Sequence, residues 1–311
     1  MKYIIIYNPR AANNKNVRLI KRIKANFADN EHIDFAVFAT KHRGHAEKIA
    51  REAAETFGPE AVVIVCGGDG TASEVSNGLA GTKTPMMVIP CGSGNDFAKK
   101  LYPKNFTAKS VAKSFGLLSE SPKYSCKPID LMKVNERYSI NVTSIGFDTQ
   151  VETVGRKLIE KFGFLGKLGY KIAVLLCLFK DKHYCVRIMA KKNSSVARIP
   201  RKLGFTLLAV CNASYYGGGF CPAPNARLDD GVLNLVYADP VCAANVIRLA
   251  PSYIKGTALK HREIHACEVT SLKIASANGE KIVYNSEGEN FSAENVNINV
   301  VKGCVKLCFP L

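Results

Sequence analysis

Up to residue 90 two patterns alternate, and that alternation constrains the fold more than any other feature of the chain. Apolar, β-branched runs stand at 3–7 (YIIIY), 33–39 (IDFAVFA), 61–66 (AVVIVC) and 85–90 (PMMVIP). Between them lie stretches with helical spacing of apolar residues, at 16–28, 45–57 and 72–81. Strands that are apolar throughout must be covered on both faces, and intervening helices supply the cover. The pattern predicts βαβ units in a doubly wound α/β domain.

A helical stretch near 108–118 completes this domain, and SESPK at 119–123 interrupts the pattern. The rest reads as strands joined by turns, among them KPIDLMKV, RYSINVTSIGF, GFTLLAVCNAS and GVLNLVYA, with helical interruptions around 149–179 and 240–259. A mainly antiparallel β domain is therefore expected from residue 123. A chain of 311 residues exceeds the usual size of one hydrophobic core, which agrees with two domains, 1–122 and 123–289.

The longest apolar stretch, GFLGKLGYKIAVLLCLF at 163–179, carries Lys167 and Lys171 and falls short of the roughly 20 apolar residues that span a bilayer. The apolar run at the N-terminus is too short for the core of a secretory signal. No transmembrane helix is expected. The 11 cysteines form no CxxC pair suited to zinc, and Cys66, Cys177 and Cys211 lie inside apolar runs. Buried free thiols of a reducing cytosol are the expected state.

Lysine plus arginine number 43 against 26 aspartate plus glutamate, a net charge of +17. Residues 155–205 hold 13 basic residues against Glu160 and Asp181 and so contribute +11 of it. Such a block suits an anionic partner, either nucleic acid or an anionic membrane face, or else forms a solvated basic surface. No recognisable nucleic-acid motif accompanies it, so nucleic acid is not expected.

Three polar turns follow strands directly: Asn8-Pro9, Gly67-Gly68-Asp69-Gly70-Thr71, and PCGSGNDFA at 90–98. In an open parallel sheet, ligands bind outside the carboxyl ends of the strands, so these turns are placed to build one site. Gly67, Gly68 and Gly70 permit close backbone approach, and a helix starting after Thr71 offers free N–H groups to phosphate oxygens. Gly92, Ser93 and Gly94 repeat the arrangement ahead of a helix opened by Asn95 and Asp96. Capped strand-to-helix turns without any ligand fit the same residues. There is no GxxxxGK[ST], so phosphate charge would be balanced by backbone amides and a metal ion. A carboxylate such as Asp69 then makes sense if it orients a divalent cation or makes an orienting hydrogen bond.

GGDGT after an apolar strand, with PCGSGNDFA downstream, resembles the ATP-binding signature of the diacylglycerol kinase catalytic domain superfamily, shared with sphingosine and ceramide kinases and bacterial lipid kinases. GGDGT alone also occurs in NAD kinases; the second motif narrows the choice. YNPRA at 7–11, ATKHRGHA at 39–46, SIGFDTQV at 144–151 and CNASYYGGGFCPAPNARLDDGVLNLV at 211–236 extend the resemblance along the chain, most closely to the soluble bacterial lipid kinases.

The resemblance implies an N-terminal nucleotide-binding α/β domain, joined by the C-terminal segment 290–311, and a C-terminal antiparallel β-sandwich, with the active site in a crevice between them. It implies ATP with Mg²⁺ as donor and a lipid hydroxyl, such as that of diacylglycerol, as acceptor. Nucleotide contacts would fall at Asn8, Pro9, Arg10, Ala11, Ala12 and Thr40, and the phosphate loop at Gly67, Gly68, Asp69, Gly70, Thr71, Ala72, Ser73 and Glu74. Ser93, where the family commonly has threonine, and Asn95 would add to it. A structural metal site would use Asp230 with the backbone carbonyls of Arg227 and Val232, in a stretch that also reads as a plain polar turn.

In YNSEGEN at 284–290 the family usually shows Asp-Gly-Glu, the aspartate being the general base; this chain has Glu287-Gly288-Glu289. Either Glu289 is the base and Glu287 supports it, or the site is altered. The Asn-Pro turn departs too, with Arg10-Ala11-Ala12 where a glycine is common. The resemblance further implies a cytoplasmic enzyme attached peripherally to the inner face of the membrane, with the basic block against anionic lipid and 162–179 helping to line the acyl-chain site. A kinase of a soluble acceptor such as NAD, and a catalytically impaired nucleotide-binding regulator, are the alternative readings. A homodimer is compatible with this reading.

Overall fold

The computed structural model describes residues 1–11, 15–119, 121–162, 167–179, 184–192 and 199–311. Ala12, Asn13, Asn14, Lys180, Lys182 and Arg198 of the sequence reading lie outside them. In chain order the elements are β1 (Lys2–Tyr7), α1 (Lys15–Ala28), β2 (Asp34–Ala39), α2 (His45–Phe57), β3 (Ala61–Gly67), α3 (Asp69–Leu79), β4 (Pro85–Pro90), α4 (Asp96–Leu101), α5 (Ala108–Ser114) and β5 (Tyr124–Val134). There follow β6 (Arg137–Ser139), β7 (Val142–Gly146), α6 (Phe147–Lys161), α7 (Lys167–Cys177), β8 (Tyr184–Lys192), β9 (Lys202–Phe205), β10 (Leu207–Cys211), β11 (Leu233–Ala238) and α8 (Ala243–Lys255). The last strands are β12 (Ile264–Ser276), β13 (Ile282–Ser286), β14 (Glu289–Ala293) and β15 (Asn295–Pro310).

The chain forms two compact units. The first comprises Met1–Leu131, Leu228–Asp230 and Val301–Leu311. Its strands run in the order β2-β1-β3-β4, all parallel, with the end of β15 parallel to β4 at Lys306 and Leu307. Alternate residues of each strand point to opposite faces. Tyr3, Ile5, Val62, Ile64, Met87 and Ile89 pack with Ile23 and Phe27 of α1 and with Val111 and Phe115 around α5. The other faces of the same strands, Ile4, Ile6, Val63 and Val65, are fully buried too. α2 and α3 pack so closely that a Cβ on Gly78 would lie 2.4 Å from the Glu47 carbonyl oxygen, so only glycine fits there. This is the doubly wound α/β arrangement expected from the apolar strands.

The second unit comprises Met132–Arg227 and Gly231–Val300. Its strands run β14-β13-β7-β10-β11-β12, each antiparallel to its neighbour. β12 pairs with β11 along its first half and lies between β15 and β8 along its second, with a register shift between Val269 and Ser271. A long strand that changes partners at a bulge folds the sheet over, as at the corners of sandwiches. Ile145, Leu208, Val210, Leu235, Leu272, Ile282 and Ile298 share one core with Val186, Ile188 and Phe205. The reverse face of β7, β10 and β11, carrying Val142, Ala209 and Val236, is covered by Leu249 and Tyr253 of α8. The result is the antiparallel β-sandwich.

Candidate functional site

In the first unit the strand ends are level. Tyr7 pairs with Ala39 of β2 and with Cys66 of β3, and Gly67 pairs with Pro90 of β4. The residues that follow, Asn8-Pro9, Thr40, Gly68 and Cys91, therefore emerge on one edge, and the strand order reverses between β1 and β3, where open α/β sheets bind ligands. The turns bond to one another: the Asn8 N–H donates to the Cys66 carbonyl at 3.3 Å, the Thr40 N–H to that of Tyr7 at 2.9 Å, and the Cys91 N–H to that of Gly67 at 2.8 Å. At the end of β1 the Arg10 N–H donates to Asn8 Oδ1 and the Ala11 N–H to the Asn8 carbonyl, leaving the Arg10 side chain exposed.

The first glycine turn differs from expectation in one respect. α3 starts at Asp69, not after Thr71, because Gly68 is its extended N-cap and the Ala72 N–H already donates to the Gly68 carbonyl at 3.0 Å. The helix amides left without intrahelical acceptors are thus those of Asp69, Gly70 and Thr71. The glycines have separate reasons. A Cβ on Gly67 would lie 2.5 Å from Thr71 Cβ, and one on Gly92 would lie 2.4 Å from Gly68 Cα. Gly67 is required by the approach of the Thr71 side chain within α3, and Gly68 and Gly92 by the contact of the two turns. A Cβ on Gly70 would meet nothing within 4 Å, and its backbone is not left-handed. Internal packing does not explain Gly70.

Asp69 Oδ1 accepts the Phe97 N–H at 2.9 Å, joining the start of α3 to the first turn of α4. Burial pushes the Asp69 carboxyl up, and the Phe97 amide opposes that shift. Asn95, with φ 53°, holds the second turn by accepting the Gly92 N–H at 2.8 Å and donating to the Gly92 carbonyl at 2.9 Å. Ser93 is exposed at the tip; Thr71, Ala72 and Ser73 are buried along α3. Glu74 turns elsewhere: its Oε2 accepts the Ala46 N–H at 3.1 Å and so caps α2.

In the second unit Glu287 and Gly288 form the two-residue turn between β13 and β14, with φ 54° and 80°, the left-handed pair that closes tight hairpins. Glu287 Oε1 accepts from Ser139 Oγ at 2.6 Å and from the Asn141 N–H at 2.7 Å, and Oε2 accepts from Asn141 Nδ2 at 3.1 Å. Ser139 and Asn141 are buried. Arg156 of α6 donates to the Gly288 carbonyl at 2.7 Å, and Asn290 Nδ2 donates to Thr153 Oγ1 at 2.7 Å. The hairpin is therefore pinned on both sides. Glu289, half-buried, starts β14 opposite Ser286.

Sequence reasoning did not find Ser139 and Asn141, which carry no local signal, nor the role of Asp148. Burial pushes the Asp148 carboxyl up, against hydrogen bonds from Ser144, the Thr149 amide and Tyr216, while its Oδ2 is buried without a partner. Between α6, β7, β8 and β13 lies a cavity of about 540 Å³ lined by residues that include Ile145, Thr149, Thr153, Val186, Asn278 and Ile282.

Asp230 lies exposed in a bend over Leu228–Gly231, just before Val232 and β11. Among the described residues no three His, Cys, Asp or Glu side chains cluster to hold a metal. The oxygens of this stretch, a carboxylate and backbone carbonyls, are of the hard type that Mg²⁺ takes. Asp69, half-buried and with its carboxyl pushed up, is a second oxygen donor of this type.

Residues 2–133 match the family model described as diacylglycerol kinase catalytic domain, and residues 141–309 match the YegS C-terminal NAD kinase beta sandwich-like domain. The chain belongs to the diacylglycerol kinase family of lipid kinases. It is 29% identical to a diacylglycerol kinase of Staphylococcus carnosus, over 92% of this chain and 87% of that one. It is 26% identical to a Pseudomonas aeruginosa protein named "Probable lipid kinase YegS-like", over 99% and 94%. A crystal structure of a diacylglycerol kinase from Bacillus anthracis strain Sterne shares the fold, with a TM-score of 0.67 and 21% identity over 99% of this chain and 96% of that one. As in the rest of this family of kinases, a nucleotide donor is implied.

Proposed function

We propose that the chain transfers the γ-phosphoryl group of ATP, with Mg²⁺, to the hydroxyl of diacylglycerol or a similar lipid. The observation that carries this reading is the set of level strand ends in the first unit, with the free amides of Asp69, Gly70 and Thr71 at the start of α3. Phosphoryl transfer asks for positioning and charge stabilisation rather than covalent chemistry. The α3 amides and helix dipole take the phosphates, and the turns at Asn8 to Ala11 and at Thr40 border the nucleoside. Asp69 holds α4 and would orient the cation; Asp230 with the Arg227 and Val232 carbonyls would hold a structural one. Mg²⁺, when bound, would supply neutralisation of phosphate charge.

Glu287 is the general base in this reading. Donors from Ser139 and Asn141 fix its carboxylate in place, and a carboxylate so held can accept the proton of the acceptor hydroxyl. The 540 Å³ cavity beside α6 suits part of the acceptor, with Ile145, Val186 and Ile282 beside polar groups of Thr149, Asn278 and Lys281. An anionic bilayer is the partner of the basic block and of α7, where Val174, Leu175 and Leu176 are exposed while Ala173 and Cys177 face inward. No helix among the described residues is long and apolar enough to cross a membrane.

One observation favours a second reading, a nucleotide binder without transfer: the Glu287 carboxylate is already engaged by Ser139 and Asn141. Purified protein incubated with radiolabelled ATP, Mg²⁺ and vesicles containing diacylglycerol, with NAD as competing acceptor, tests both. Labelled phosphatidate is the expected product. Labelled NADP, or ATP binding with no labelled product from a total lipid extract, would overturn the proposal.

A further inference from the structure

Cys126 and Cys308 are 182 residues apart in sequence, yet their sulfurs are 3.0 Å apart. Both belong to the first unit, Cys126 on β5 and Cys308 near the end of β15, and those two strands are paired. The two thiols differ in access: Cys126 is exposed, whereas Cys308 is 1% exposed directly beneath it. We propose that this pair is an oxidation site that takes a hydroperoxide as its oxidant, Cys126 reacting first and Cys308 closing a disulfide.

The step balances. The Cys126 sulfur attacks the peroxide O–O bond and keeps one oxygen as a sulfenic acid, while the other oxygen leaves as water with the thiol proton. Cys308 Sγ then displaces the sulfenic hydroxyl, which leaves as a second water with the proton of Cys308. Two thiols give up two electrons and one hydrogen peroxide accepts them. Closure to a disulfide of roughly 2.05 Å brings the sulfurs about 1 Å nearer.

The surroundings divide the two roles. The Cys308 thiol, and then Lys306, hold Cys126 below the ordinary thiol range, which favours the thiolate that attacks peroxide. Cys126 and burial push Cys308 far up, so it waits as a neutral thiol. The other close pair, Cys66 and Cys91, is buried under the glycine turns and out of reach of peroxide. Cys185 and Cys242 are exposed and serve as internal controls. Because β15 pairs with β4, which leads into the Gly92 turn, the disulfide ties β5 to the strand that supports the candidate phosphate site.

The test uses the full chain, reduced, freed of reductant, exposed to graded hydrogen peroxide, alkylated and digested for mass spectrometry. The expected result is a peptide pair joined through Cys126 and Cys308 that dithiothreitol separates, with Cys126 consumed about tenfold faster than Cys185 or Cys242. Cys308→Ser is expected to accumulate a dimedone-reactive sulfenic acid at Cys126. Cys126→Ser, an exposed substitution that does not depend on repacking, is expected to leave Cys308 reduced. Recovery of both residues as alkylated thiols, or a sulfinic acid at Cys126 with Cys308 still alkylated, would overturn the proposal.

Discussion

Asp69 Oδ1 accepts the backbone amide of Phe97 at 2.9 Å, so a single carboxylate connects the two glycine turns of the first unit. Asparagine preserves that acceptor and alanine does not. Asp69→Asn is expected to stay within about 1 kcal/mol of wild type in urea unfolding, while Asp69→Ala costs about 1–3 kcal/mol by leaving a buried amide unpaired. If the charge also orients the cation, Asp69→Asn lowers turnover by ~10² or more despite its intact fold. Full turnover in Asp69→Asn would reduce the residue to a cap.

Gly92 and Gly70 separate packing from ligand approach. Gly92→Ala forces a Cβ to 2.4 Å from Gly68 Cα and is expected to destabilise the first unit by about 1–3 kcal/mol. Gly70→Ala has room and should leave the melting temperature nearly unchanged while weakening ATP binding by calorimetry. Equal ATP affinity in Gly70→Ala and wild type would argue against nucleotide at this turn.

Glu287→Gln is a clean probe of the base. The glutamine carbonyl can keep the Ser139 and Asn141 N–H bonds, and the Asn141 side-chain amide can reverse to accept the new NH₂, its own Oδ1 being buried without a partner. Stability should therefore hold while lipid phosphorylation falls by ~10²–10⁴. Glu287→Ala, by contrast, unpairs buried donors and should cost about 2–3 kcal/mol. If Glu289→Gln rather than Glu287→Gln abolishes transfer, the roles of the two glutamates are exchanged.

Asp148 gives the protein a pH dependence of stability. Burial raises its folded-state pKa, so the native state binds the proton more tightly than the unfolded chain. The stabilisation is fully present below the ordinary aspartate value of about 4 and is lost as pH rises through the folded value. Relative to Asp148→Asn, wild type should lose stability as pH rises from about 4 toward neutrality. Urea midpoints over that range measure it; parallel curves for the two proteins would count against it.

The α7 face can be tested without touching the candidate site. Leu175 is 56% and Phe179, just beyond the helix, 84% exposed. Replacing both by glutamate removes apolar area and adds negative charge, and should weaken sedimentation with anionic vesicles at least about tenfold. Wild-type binding should also weaken with salt. Binding that is indifferent to anionic lipid and to salt would refute bilayer docking by this face.

Much of the fold was legible because its signals are local. Continuous apolar runs and helical patterns marked β1 to β4 with α1, α2 and α3 between them, and glycines after apolar strands marked the turns. The start of α3 was misjudged because Gly68 reads as loop, although its carbonyl already accepts the first helical bond. β14 escaped notice because five residues after a polar turn show too little alternation. The glutamates of that turn were visible as chemistry, but not their orientation.

Sequence alone determined the order of the elements, the two classes of architecture and the positions of the polar turns, since each depends on residues a few places apart. Tertiary structure decided which groups meet. Glu287 reaches Ser139 across 148 residues, Cys126 reaches Cys308 across 182, and Asp69 finds an amide 28 residues on. Those pairings follow from sheet register and from the left-handed turn at Glu287 and Gly288, and such long-range geometry has no counterpart in local pattern.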